Sequence, residues 1–168
     1  MTFQGSINYD YGFGIPGEIV RDGPLRARTG YINSATPANN VFGRVFTLNA
    51  DGKTVGAGGT GTVWGILANP KQHVSFGTAA LGPLAPSFVL ANNVVADFAE
   101  FAKIVAALTG TKAATPGLQV QYLQADGTIS IPAVAGTADT GCTLLNAWVE
   151  DYPQPNEAGN LIMLKINL

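Results

Sequence analysis

A chain of 168 residues is long enough for one domain with a sizeable core. Apolar residues make up 46% and charged residues 12%, about half the usual charged share, so part of the surface is expected to lie under another protein. The formal net charge of -2 offers no clustered basic footprint, and direct nucleic-acid binding drops out of the expected functions.

The 21 glycines and 10 prolines suit short strands joined by tight turns rather than a helical protein. One cysteine, Cys142, cannot form an internal disulfide, so the fold owes nothing to an oxidising compartment. Residues 1–6 lack the basic flank and apolar run of a signal peptide. No stretch of about 18 apolar residues exists, which removes a spanning helix and any membrane role. The expectation is a soluble protein made in a cytoplasm.

In chain order, residues 1–40 read as an arm plus loops. Tyr9, Tyr11 and Phe13 alternate with Asp10 and Gly12, placing aromatics on one side of an extended segment. Pro16, Pro24 and Pro37 punctuate the rest of this region, with Gly17 to Arg21 strand-like between the first two. From Asn40 the pattern turns β, and residues 41–168 form the expected body. Val41 to Leu48 predicts a strand ending at Asp51-Gly52, a hairpin signal. Thr62 to Ala68 predicts another, stopped by Asn69-Pro70. Leu118 to Leu123 alternates into Asp126-Gly127 and then Thr128 to Ile131, a second hairpin. Thr143 to Glu150 and Leu161 to Leu168 complete the strands.

Residues 92–109 point two ways. Val94, Val95, Phe98, Phe101, Ala102 and Val105 recur at helical spacing, with Asn93 placed as an N-cap and Gly110 as a stop. The alternative is two strands, Val94 to Phe98 and Lys103 to Leu108, joined by a turn.

Chemistry-bearing motifs are sparse. Gly12/Gly14/Gly17 and Gly56/Gly58/Gly61 match the spacing G-x-G-x-x-G, but neither is followed by a helix that could face a pyrophosphate, so no nucleotide cofactor is expected. His73 and Cys142 are the only residues of their kinds, too few for a zinc site and without a dyad signature. Glu150-Asp151 is the only adjacent acid pair, and neighbours in a strand point to opposite faces. The expected catalytic, cofactor and metal sites are therefore none. Arg21, Arg26 and Arg28 cluster in the early loops, where guanidinium forks suit a partner's carboxylates or simply solvent.

Several short patches, in order, resemble the structural cement proteins of tailed phages. They are Ser6 to Ile19, Asp22 to Arg28, Asn33-Ser34-Ala35, Asn39 to Thr47 and Gly65 to Lys71, with a final apolar strand over Leu161 to Leu168. The resemblance is strongest over residues 1–77 and fades after about residue 110. It implies a mainly β, single-domain, jelly-roll-like β-sandwich with an extended N-terminal arm. It also implies a place on the capsid exterior, where the protein binds the major capsid protein and itself, bridges capsid subunits and catalyses nothing. The family pattern favours strand, turn, strand over 92–108, although Phe98 to Lys103 lacks a turn glycine.

The expected interface residues are Phe3, Ile7, Tyr9, Tyr11 and Phe13 on the arm, with Arg26 and Arg28 fixing orientation. Two rivals remain: another virion module of tail or fibre type, and a sugar-binding β-sandwich. The latter needs an exposed aromatic platform among hydrogen-bonding side chains. Trp64 and Trp148 lie within strand patterns and are expected in the core.

Overall fold

The computed structural model describes residues 15–20, 23–69, 89–110, 113–151 and 160–168. The first five strands are β1 Ile19–Val20, β2 Arg26–Ile32, β3 Val45–Leu48, β4 Thr54–Ala57 and β5 Val63–Leu67. The rest are β6 Val95–Leu108, β7 Gln119–Leu123, β8 Ile129–Ser130, β9 Cys142–Asp151 and β10 Asn160–Asn167. One short 3-10 turn, Pro37–Asn39, is the only helical piece among the described residues. The molecule is mainly β, as expected. Strand β1 falls in the strand-like stretch Gly17 to Arg21, whereas β2 lies where only loops were expected, a correction to that reading.

All strands belong to one hydrogen-bonded sheet, in which the long β6 takes part in two closed circuits. One circuit runs β6–β10–β9–β7–β8 and back to β6; the other runs β6–β2–β4–β3–β5 and back to β6. The circuits close through short pairings, two residue pairs between β2 and β4 and one between β6 and β8, and the pattern is compatible with a jelly-roll-like body. Two cores fill the body, and the larger takes Val45 and Ile66 from β3 and β5 as well. Ile104, Tyr122, Ile129, Leu145, Ile162, Leu164 and Ile166 fill the larger. Ile32, Phe46, Val55, Leu67 and Phe98 fill the smaller.

Residues 92–109 are neither a helix nor two strands: Val95 to Leu108 is one continuous strand. Its hydrophobic spacing has a local cause. Against β2, Arg26 pairs with Phe101 and Ala27 with Ala99, so Glu100 is an extra, bulged residue. The bulge flips the alternation, and the inward series reads Ala99, then Ala102, Ile104, Ala106 and Leu108. Phe98, before the bulge, enters the other core. Two strand registers offset by one residue thus imitate a helical stripe. Asn93, placed as an N-cap, instead adopts a left-handed φ of 65°.

Both Asp-Gly hairpins form. Leu48 pairs with Val55 across Asp51-Gly52, and Tyr122 pairs with Ile129 across Asp126-Gly127. Asp51 accepts the Lys53 and Thr54 amides at 2.9 Å each. A hydrogen bond from the Thr54 hydroxyl, followed by those amides, holds its carboxyl below the usual carboxylate range. The strand expected from Val41 shortens to Val45–Leu48, because Gly43 adopts a φ of 80° and Val41 makes only an isolated bridge to Val89.

Candidate interaction surface

Phe3, Ile7, Tyr9, Tyr11 and Phe13 lie outside the described residues. The segment C-terminal to them is tightly seated. The Gly17 amide donates to the Val105 carbonyl at 2.8 Å, and the Gly17 carbonyl accepts the Asn69 amide at 2.8 Å. A side chain at Gly17, whose φ is 85°, would meet the Leu67 carbonyl at 2.9 Å. The base of the arm is thus wedged between β6 and the residues leaving β5, where only glycine fits.

Arg26 and Arg28 find their carboxylate within the chain, at Glu100. Arg26 Nε lies 2.7 Å from Glu100 Oε2, and Arg28 Nη2 bonds Glu100 Oε1. The bulge brings this about by turning Glu100 out of the β6 alternation beside the start of β2. Arg26 Nη2 also donates to the Leu168 carbonyl at 3.2 Å, so one residue links β2 to the residue after β10. The Arg28 guanidinium stacks 4.6 Å from the centre of the Trp64 ring, whose indole N–H donates to the Thr29 carbonyl at 3.2 Å. Arg26 stays 60% exposed and Arg28 31%. Sequence reasoning missed Glu100. Its signal was its position as the only carboxylate between Phe98 and Leu108.

Glu100→Gln should cost about 1–3 kcal/mol, because the half-buried Arg28 loses its charged partner. Arg26→Ala, on the exposed side of the same cluster, should cost below about 1 kcal/mol. Denaturant midpoints of the two variants measure the difference.

A buried polar network explains two of the patches behind the family resemblance. Asn40, fully buried, donates through Nδ2 to the Leu90 carbonyl at 3.0 Å and to Asn92 Oδ1 at 2.9 Å. Asn92 in turn bonds both backbone groups of Ser34, and Ser34 Oγ accepts the Ala57 amide at 2.8 Å. Asn33-Ser34-Ala35 and Asn39-Asn40 are therefore a clasp between the loop after β2 and the loop before β6. Asn92, its central residue, carried no sequence signal.

The glycine motif Gly56/Gly58/Gly61 opens no helix. Gly58 and Gly61 instead let backbones approach closely: a Cβ on Gly58 would lie 2.5 Å from the Gln124 carbonyl. Gly12 and Gly14 of the other match, and His73, lie outside the described residues. No cluster of His, Cys, Asp or Glu able to hold a metal occurs among the described residues. Cys142 is half-buried. Burial first, and then the charge of Asp139, push its thiol above the usual range. A thiolate is the reactive species, so iodoacetamide should label Cys142 more slowly than a free cysteine peptide at neutral pH. The rate should still be rising where the peptide's has levelled, which a pH–rate profile reads directly.

Glu150 lies in β9, as the strand expected over Thr143 to Glu150 requires, and pairs with Lys103 Nζ at 2.9 Å. The tryptophans depart from expectation. Trp64 lies at the rim of the smaller core under Arg28. Trp148 points outward from β9 and is 37% exposed.

A fold of this shape occurs in a solved phage capsid. Superposition on a chain of the structure described as the capsid of Myoviridae Phage XM1 gives a TM-score of 0.67 at 15% identity, covering 99% of this chain and 98% of that one. That likeness concerns the fold. Sequence carries the assignment further: residues 3–167 match the family described as structural cement protein (E217 gp24/Pam3 gp6). The chain belongs to this family of phage structural proteins, and its place is the virion capsid. No curated protein matches.

Proposed function

We propose that the protein is a capsid cement protein that binds the outer surface of the head and bridges major capsid protein subunits, without catalytic activity. The observation that carries this is the extent of the family match, which runs from Phe3 through the last strand and so includes the arm. The low charge supports it, since a surface with few solvating groups suits burial under another protein. In this reading Phe3, Ile7, Tyr9, Tyr11 and Phe13 anchor into a neighbouring subunit, either a second copy or the capsid floor. Arg26, largely exposed beyond its contact with Glu100, turns its remaining donors to a partner carboxylate. Arg28 serves indirectly, by holding Glu100 from the Trp64 side.

Each contact is modest, and a shell repeats it many times, so the sum is strong cementing from weak single bonds. The test is sedimentation of purified protein with heads that lack it. Near-stoichiometric, saturable co-sedimentation with the major capsid protein is the expected result. Protein that stays in the supernatant at every concentration, or that binds isolated tails in preference, would overturn the reading.

A further inference from the structure

We infer that the outward face around Trp148 is a saccharide-binding platform. Strand register puts Gln119, Trp148, Lys165 and Lys103 side by side across β7, β9, β10 and β6. Along β9 the pattern is strictly alternating: Leu145, Ala147 and Val149 are buried, while Asn146 and Trp148 are exposed. The indole therefore stands on the solvent side of the ring of strands, although nothing in its strand pattern requires a tryptophan there.

Its neighbours are hydrogen-bonding groups held in place by the sheet. Gln119 donates through Nε2 to the Leu145 carbonyl at 3.0 Å, which pins the amide and keeps Oε1 as an acceptor. Asn146 donates through Nδ2 to the Asn167 carbonyl, which does the same for its Oδ1. Lys165, exposed on the opposite flank, supplies N–H donors. An aromatic surface bordered by two fixed acceptors and one flexible donor suits a pyranose ring. The apolar C–H face of the sugar packs on the indole while its hydroxyls donate to the amide oxygens and accept from the ammonium. Pinned amides lower the ordering cost of that complex.

The same features disfavour two other occupants. Protein hot spots gather several anchors at one centre, whereas none of the other exposed large apolar side chains among the described residues (Ile15, Leu25, Tyr31, Val89, Val95 and Val134) belongs to β7, β9 or β10. Stacked nucleic-acid bases need a basic track for the phosphates, and here Lys103 is paired with Glu150.

The experiment is an NMR titration of the isolated, full-length protein with three linear gluco-oligosaccharides: cellohexaose, maltohexaose and laminarihexaose. With at least one of them at about 10 mM, the Trp148 indole N–H signal should shift and saturate. Trp148→Ala should weaken binding by about tenfold or more, and Gln119→Ala by less. Trp64→Phe should leave it unchanged. Failure of all three sugars to move the Trp148 signal overturns the proposal. So does a Trp148→Ala variant that binds sugar normally. A variant that loses head binding, with no sugar response in the parent, would assign the face to a protein partner instead. Head binding is measured apart from these titrations, so the cement reading stands or falls separately.

Discussion

Replacing Gly127 by alanine should cost the protein about 3–5 kcal/mol, a large part of the stability of a domain this size. Two effects combine. Gly127 has a φ of 76°, in the left-handed region that costs an L-residue about 1–2 kcal/mol. A Cβ there would also lie inside contact distance of the Val45 carbonyl and 2.9 Å from the Gly58 amide. To relieve that clash the β7–β8 turn must lift from the second strand circuit. The Val45 amide would then lose the Gly127 carbonyl, now at 2.9 Å, and Arg44 would lose Asp126, now at 3.7 Å. The control is Gly52, the glycine of the other Asp-Gly turn. Its φ of 64° is similar, but nothing lies within 4 Å of an added Cβ. Gly52→Ala should therefore cost only the backbone term, about 1–2 kcal/mol. Urea midpoints of the two variants and the parent decide the matter. Equal losses would mean that the contact between the circuits contributes nothing.

The two Asp-Gly dipeptides also mark how far local reading reached. Each turn was legible because the backbone conformation it needs is written in two adjacent residues. That one of them also joins the two strand circuits was not legible, since Val45 and Gly58 are far away along the chain. The same limit governs β6. Its residues are a strand, but a bulge at Glu100 shifts the inward series by one, and no sequence rule marks a bulge without a glycine or a break in pattern. The helix-like stripe was two sound β patterns out of phase.

The candidate site shows a related division. Arg26 and Arg28 stand out in the sequence by type and clustering, but their counter-charge lies on a strand distant in sequence, and only the register of β2 on β6 brings Glu100 to them. Trp148 lies outside the core expected for it because a strand pattern alone does not say which of its two faces meets the solvent. Asn33-Ser34-Ala35 and Asn39-Asn40 stand out as family patches with no reason visible in the sequence. The reason is the clasp they make through Asn92.

Deleting residues 2–13 should leave a folded, soluble body that binds heads at least a hundredfold more weakly. The deleted stretch holds Phe3, Ile7, Tyr9, Tyr11 and Phe13, and Asp10 is its one charged residue. Fixing a backbone residue costs about 1–2 kcal/mol, so such a stretch is worth ordering only where its side chains are buried. An aromatic or isoleucine buried against a partner recovers roughly 1.5–3 kcal/mol. The deletion removes the ordering cost along with the anchors, so a hundredfold loss, about 2.7 kcal/mol, requires the buried side chains together to outweigh the cost of fixing the arm by that much. The body should survive because the truncation stops short of the Gly17 wedge and of β1. Circular dichroism and thermal unfolding of the truncated protein test the first half, and co-sedimentation with heads tests the second. A truncated chain that unfolds would assign the arm to the subunit's own core. One that folds and binds heads as the parent does would place the interface elsewhere. Single Tyr9→Ala and Phe13→Ala variants then separate anchoring from mere chain length: an anchoring arm should lose about tenfold or more in head binding at either position, with the unfolding midpoint unchanged.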